Sequence, residues 1–318
     1  MPPFPLLLHQ CFLAGVWEDA SSGATLPVFD PASRHVIARI PNMGATETSL
    51  AIAAAKSAQP AWAARTAAER ARIIQAWRAG MEAHREDLAA IMCAENGKPM
   101  KEARGEVTYA ASFLEWFAEE AKRAYGDIIP SAVPGARLLV LKHAVGVCAA
   151  ITPWNFPLAM ITRKAGAALA AGCAVVLKPS ELTPLSAFAL AELAARAGLP
   201  AGLLSVVTGD AAPIGGELCS NPDVRKLTFT GSTRVGKALM AACAPTVKRL
   251  SLELGGNAPF IVFDVRGGRA GGSGGRGYSG GRGFGAGGRP QRSAPASAEQ
   301  LPSGLSCLAL PDLCSRNT

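Results

Sequence analysis

Apolar positions recur along this chain with two different spacings. Between residues 66 and 125 they return every three or four residues, the mark of amphipathic helices. Ile73, Ile74, Trp77 and Met81 fall on one face of a helix predicted over residues 70–82, and Thr66-Ala-Ala-Glu69 ahead of it forms a capping box. Asn96-Gly97 ends the next helix, and Pro99 opens a third that runs to Tyr125. Within that third helix Phe113, Trp116 and Phe117 stand at i, i+3 and i+4 and are expected to form a core stripe. Residues 11–45 carry shorter signals of strands and turns, in Cys11–Trp17 and Asp30-Pro-Ala-Ser33.

From Leu138 onward short apolar runs alternate with helical stretches. Strands are predicted at 138–141, 146–151, 174–177, 204–207, 226–229, 249–252 and 260–263. Helices are predicted at 158–171, 184–197, near 213–219 and at 233–243. Continuous apolar strands separated by helices imply an α/β fold, Rossmann-type, with a mainly parallel sheet flanked by helices on both faces. Ligands of such sheets sit at the carboxyl ends of the strands. Attention therefore falls on the loops after Ile151, Leu177, Val207, Phe229 and Leu252.

Four of these loops carry candidate chemistry. Thr152-Pro-Trp-Asn-Phe-Pro157 fixes Asn155 between two prolines; the residue either closes a turn or offers its amide to a developing oxyanion. Lys178-Pro179-Ser180-Glu181 is either a solvated charged turn or a clasp for a ribose diol, the lysine donating and the glutamate accepting. Thr230-Gly231-Ser232-Thr233-Arg-Val-Gly236 runs a glycine turn into a helix whose first N–H groups suit a phosphate. It is not the G-x-G-x-x-G fingerprint. Glu253-Leu254-Gly255-Gly256-Asn257 places a carboxylate beside glycines that allow close approach, although a buried or capping Glu has the same appearance.

Taken in order at successive strand ends, Pro-Trp-Asn-Phe-Pro, Lys-Pro-Ser-Glu, Phe-Thr-Gly-Ser and Leu-Glu-Leu-Gly-Gly-Asn resemble the NAD(P)-dependent aldehyde dehydrogenase superfamily over roughly residues 10–264. Ala111–Lys122, Met160-Ile-Thr-Arg-Lys164 and Ser251–Asp264 look like its succinate-semialdehyde dehydrogenase branch. The resemblance implies a cytoplasmic homo-oligomer that oxidises succinate semialdehyde to succinate in 4-aminobutyrate breakdown, or another aldehyde by the same chemistry. It gives Asn155 the oxyanion role and makes Glu253 the general base for the deacylating water. Trp154, Asn155, Lys178, Pro179, Ser180, Glu181, Gly231, Ser232 and Leu254 would line the dinucleotide. Arg163 would meet the substrate carboxylate, or else stand as a surface helix arginine. Glu181 tilts NAD(P) choice toward NAD, because a carboxylate there accepts from both ribose hydroxyls and repels a 2′-phosphate.

After Asp264 the composition changes abruptly. Residues 265–289 hold 13 Gly and 5 Arg in 25 positions, and residues 265–318 carry +5 of the chain's net charge of +8, with no Lys. Such a segment buries too little surface to offset its ordering entropy and is expected to lack regular structure. Two domains follow: residues 1–264, the aldehyde-dehydrogenase-like body with most of the catalytic lobe missing, and a Gly/Arg-rich tail. The family's nucleophile belongs to a Gly-Gln-Thr-Cys-like loop, but this region reads Gly283-Phe-Gly-Ala-Gly-Gly-Arg289; Cys307 and Cys314 lie further on in unrelated contexts. Without a thiolate no covalent aldehyde adduct forms, so this chain is expected to be inactive. A shifted reading frame explains the tail; an RGG-like RNA-binding segment is the competing account. The remaining cysteines lack C-x-x-C spacing and suit buried thiols in a reducing compartment better than metal or disulfides. No run approaches a membrane span, and the N-terminal Pro-Pro-Phe-Pro-Leu-Leu-Leu is not an export signal.

Overall fold

The computed structural model describes residues 6–257, 259, 261 and 314–316. The chain divides into two units, Met1–Gly255 with Ser306–Thr318, and Gly256–Leu305. The first unit begins with β1 (Cys11–Leu13), β2 (Val16–Glu18), β3 (Thr25–Phe29) and β4 (Val36–Pro41), followed by four helices, α1 (Ala45–Ala63), α2 (Ala67–Ala83), α3 (Arg85–Asn96) and α4 (Met100–Ala121). Three short strands, β5 (Asp127–Ile129), β6 (Leu138–Val140) and β7 (Lys142–Ala144), lead into the alternating half. There β8 (Val147–Ile151), β9 (Ala174–Lys178), β10 (Leu204–Val206), β11 (Val224–Gly231) and β12 (Arg249–Leu254) are parallel and join β1 and β2 in one seven-stranded sheet.

Its order is β12-β11-β8-β9-β10-β1-β2, with β1 and β2 antiparallel at one edge. The chain winds outward from β8 through β9 to β10, then returns to the other side of β8 for β11 and β12. The switch of direction therefore opens a crevice at the carboxyl ends of β8 and β11. Between the strands run α5 (Ala159–Ile161), a π-helical turn (Thr162–Gly166), α6 (Ala167–Ala170), α7 (Leu185–Arg196), α8 (Ala211–Ser220) and α9 (Thr233–Cys243). Helices α1 and α8 pack on each other and on the sheet, as do α8 and α9, while α2, α3 and α4 form an outer layer over α6, α7 and the π turn.

Local chemistry explains the helix limits. Thr66 accepts from the Glu69 N–H, and the Glu69 carboxylate accepts from Thr66 N at 2.8 Å, closing the expected capping box ahead of α2. Gly97 ends α3 at φ 76°, where a Cβ would lie 2.9 Å from Pro31. Trp62 and Trp77 are fully buried, with each indole N–H donating to a carbonyl, Leu169 O at 2.8 Å and Leu190 O at 3.0 Å. Cys11, Cys148, Cys173, Cys219 and Cys243 are buried, and Cys93 is half-buried.

Four expectations need correction. The helix expected over 158–171 is broken by the π turn, which inserts an extra residue at Thr162–Gly166 and re-aims Arg163 and Lys164. Close packing sets its position: a Cβ on Gly166 would meet Leu114 of α4 at 2.8 Å. Trp116 is 54% exposed whereas Phe113 and Phe117 are buried, because the covered stripe of α4 runs through 110, 113, 114, 117 and 121 and leaves 116 on its flank. Helix α4 ends at Ala121 and not Tyr125. Finally, Cys314–Arg316 form a strand, β13, antiparallel to β7 with Cys314 opposite Ala144, since β7 offers an open edge for a ladder. The other tail residues, and all of the strand expected at 260–263 except Ile261, lie outside the described residues.

The end of α3 also carries a buried carboxylate. Glu95, 3% exposed, accepts from Leu185 N at 2.7 Å and Ser186 N at 2.9 Å, so it caps the start of α7 from another helix. Burial pushes its pKa up to about 7, although the backbone and Ser186 contacts pull the other way. The folded state thus holds a proton that the unfolded chain, titrating near 4.5, releases. Glu95's contribution to stability is expected to be fully present below pH about 4.5, to fall as pH rises toward 7, and to be lost above it. Thermal midpoints of the protein and Glu95→Gln, compared at each pH, should diverge across that window; a constant difference would refute the assignment.

Candidate active site

The register of the parallel ladders brings the four candidate loops to one edge. Lys178 of β9 pairs with Ile151 of β8, Ile151 with Phe229 of β11, and Phe229 with Leu252 of β12. Thr230 and Glu253 pair one step later, then Gly231 and Leu254. The loops bearing Asn155, Lys178–Glu181, Gly231–Ser232 and Glu253 therefore leave the sheet within a residue or two of one another.

Each loop is shaped by its own sequence. Between Pro153 and Pro157, Trp154 and Asn155 are exposed, and their carbonyls accept from Asn96 Nδ2 at 2.8 Å and Lys98 Nζ at 2.9 Å. Lys178 is 5% exposed; its Nζ donates to Pro179 O at 3.2 Å and lies 3.3 Å from the carboxylate of Glu181, which is itself exposed. Ser180 Oγ accepts from Leu182 N at 3.2 Å and tightens that turn, and Pro179 is buried beneath it. Ser232 caps α9, accepting from Val235 N at 3.3 Å. That leaves the first turn of α9 open at the sheet edge, where the helix dipole favours an anion. Gly231 admits no side chain, since a Cβ would lie 2.4 Å from the Phe229 ring. The Leu254 side chain covers Gly236 of α9, where a Cβ would come within 2.4 Å of Leu254 Cδ2. Glu253 is half-buried.

Arg163 is half-buried in the π turn and is held on two sides. Its Nη2 donates to Tyr109 Oη at 2.9 Å, and its guanidinium lies 4.8 Å from the Phe113 ring centroid. Tyr109 in turn lines a cleft of about 340 Å³ together with Lys98, Glu102, Glu106 and Phe156.

Three residues next to these loops escaped the sequence reading. Lys164, 2% exposed, donates to Thr228 Oγ1 at 3.0 Å. Burial lowers its pKa to about 7, aided by Arg163 and Lys226 and opposed by the charge of Glu253. Lys98 and Glu106 form an ion pair whose side chains are 12% and 1% exposed, beneath the Asn155 loop. The signal for Lys164 was a charge inside an otherwise apolar stretch, Ile161-Thr-Arg-Lys-Ala-Gly-Ala-Ala-Leu-Ala170. No group of His, Cys, Asp and Glu among the described residues is arranged to hold a metal ion, and no described helix is long and apolar enough to cross a membrane. Strand β13 brings Cys314 beside Ala144, before β8 begins, whereas Asn155 follows the other end of β8.

Comparison with known proteins agrees with this geometry. Residues 17–266 match the Aldehyde dehydrogenase family. The chain is 61% identical over 259 residues to a glutarate-semialdehyde dehydrogenase of Pseudomonas aeruginosa, and 59% identical over 259 residues to the succinate-semialdehyde dehydrogenase [NADP(+)] GabD of Escherichia coli; each match covers 81% of this chain and 54% of the relative. The crystal structure of a succinate-semialdehyde dehydrogenase from Burkholderia pseudomallei superimposes with a TM-score of 0.81 at 58% identity, over 83% of this chain and 55% of that one. The same values hold for the crystal structure of an E. coli NADP dependent enzyme. The chain thus spans about half the length of the relatives it matches. On the sheet, the loops at its carboxyl edge and these matches together, the chain belongs to the aldehyde dehydrogenase family.

Proposed function

We propose that these residues form the dinucleotide-binding half of an NAD(P)-dependent semialdehyde dehydrogenase, whose whole-protein activity is oxidation of succinate semialdehyde to succinate. The observation that carries this reading is the register that lines up Lys178, Ile151, Phe229 and Leu252, because it gathers a ribose clasp, a phosphate-binding helix start, an amide donor and a carboxylate at one edge. The residues present fit a dinucleotide. Lys178 and Glu181 offer a paired donor and acceptor, and the exposed start of α9 suits a phosphate. Trp154, Pro179, Ser180, Ser232 and Leu254 complete the lining. A bound nicotinamide ring supplies the acceptor for the aldehyde's hydride.

The chain's own groups have separable roles. Asn155 turns its amide toward the carbonyl oxygen as negative charge develops there. Glu253 would remove a proton from the hydrolytic water of the whole enzyme, and Lys164, buried in the π turn and donating to Thr228, carries a charge that interacts with it. Arg163, oriented by Tyr109 and Phe113, would pair with a carboxylate at the far end of the substrate. Such an arginine suits an aldehyde that carries an acid. The glutarate-semialdehyde dehydrogenase at 61% identity makes the substrate one methylene longer a second candidate.

Two outcomes test this reading. NAD should bind the chain more tightly than NADP, because the Glu181 carboxylate repels a 2′-phosphate, even though one relative is an NADP(+) enzyme. Glu181→Gln should narrow that preference by up to about tenfold, near 1.4 kcal/mol, in calorimetric titrations. Tighter binding of NADP by the parent chain would rule out this role for Glu181.

Turnover is the second outcome. Within these 318 residues no cysteine occupies a Gly-Gln-Thr-Cys context, so the covalent mechanism lacks the nucleophile that the family resemblance implies. Purified chain with succinate semialdehyde and either cofactor should show only background formation of reduced nicotinamide. Robust turnover that disappears in Cys307→Ser or Cys314→Ser would overturn the expectation.

A further inference from the structure

The loop that carries Asn155 is held from outside its own strand and helix. Two consecutive carbonyls, Trp154 O and Asn155 O, accept from side chains at the junction of α3 and α4, Asn96 Nδ2 at 2.8 Å and Lys98 Nζ at 2.9 Å. Lys98 Nζ also lies 4.3 Å from the centroid of the Phe156 ring. On the far side of Pro157, Glu106 Oε1 accepts from Leu158 N at 3.0 Å and Ala159 N at 3.3 Å, the two free N–H groups at the start of α5. Glu106 Oε2 pairs with Lys98, so one ion pair grips the loop at both ends.

The burial of this pair is informative. A carboxylate that is 1% exposed is retained only where its charge is paired and its lone pairs are filled, and here every such contact is to Lys98 or to the Asn155 loop. A pair serving helix packing alone would not need to reach across to three peptide units of that loop. We propose that Lys98 and Glu106 are positioning residues, an internal clasp that fixes the Trp154–Ala159 loop so that the Asn155 amide and the Trp154 ring face the cofactor crevice. This rests on the role given above to Asn155 and Trp154. Lys98 fixes the plane of the peptide that follows Asn155, and Glu106 fixes where the loop re-enters helix. Together they leave the Asn155 side chain as the free element.

The test uses the 318-residue chain with Glu106→Gln, Lys98→Met, their double variant and Lys98→Arg. Glu106→Gln keeps shape and one acceptor. The double variant removes the pair without leaving a buried charge unpartnered, so it guards against simple misfolding. Ile74→Val in the core of α2 serves as a control for general loss of stability. Two readouts are taken: hydrogen exchange of the 154–160 segment by mass spectrometry, and NAD affinity by calorimetry. The clasp predicts faster exchange confined to that segment in Glu106→Gln, Lys98→Met and the double variant, with NAD affinity weaker by about tenfold. Lys98→Arg should restore both, and Ile74→Val should leave both unchanged. Unaltered exchange in the double variant would overturn the clasp. Faster exchange with unchanged NAD affinity would overturn its positioning role. If the parent chain bound no dinucleotide, the functional reading would fall while the exchange data still decided whether Lys98 and Glu106 hold the loop.

Discussion

The structure depends on the pairing of β8 with parallel neighbours on both sides. Val147–Ile151 hydrogen-bonds to β9 along one edge and β11 along the other, and its residues are buried up to the last. A parallel ladder fixes strand direction and register together, so all carboxyl ends must lie at one edge of the sheet. Since β8 is where the winding reverses, its neighbours' loops diverge above it and leave a crevice. The proposed site rests on that constraint, with the Lys178–Glu181 pair on one side, the start of α9 and Glu253 on the other, and Asn155 between them.

Around this edge the core holds an unusual number of charges. Glu95, Glu106, Lys164, Lys178 and Lys226 are all buried, in a body otherwise made of Ala, Val, Leu and Ile. Each would cost several kcal/mol if left unpaired, and each is matched to a specific partner. Glu95 accepts from the start of α7, Glu106 from the start of α5, Lys164 donates to Thr228 and Lys226 to Ser251. The two glutamates thereby tie the outer helices α3 and α4 to the loops after β9 and β8. Loop geometry is thus set by tertiary contacts from a part of the chain that lies some 50 to 90 residues earlier.

The pattern of the chain made most of the fold legible. Runs dominated by apolar residues located β8 through β12 to within a residue or two, since they are too short for helices and are separated by helical stretches. Thr66 and Glu69 revealed the start of α2, and Asn96-Gly97 the end of α3, because caps are written in adjacent residues. The four loop motifs, their order and the family resemblance were likewise available from sequence.

What the sequence could not decide were matters of who packs on whom. The π turn at Thr162–Gly166 has no local signature; it arises where Gly166 must pass Leu114 of α4. Trp116 follows the same spacing as its buried neighbours, yet it is 54% exposed because no described element packs over that flank of α4. Strand β13 depends on an open edge at β7, which no property of Cys314–Arg316 announces. Lys98 is a plain loop charge, and Glu106 and Lys164 plain helical ones, until folding brings each a partner far along the chain. Sequence by itself determined the elements, their order and the chemistry of the loops, because those depend on neighbours within a few residues. Tertiary structure alone decided which charges are buried and what holds Asn155 in place, because burial and long-range pairing exist only once distant segments meet.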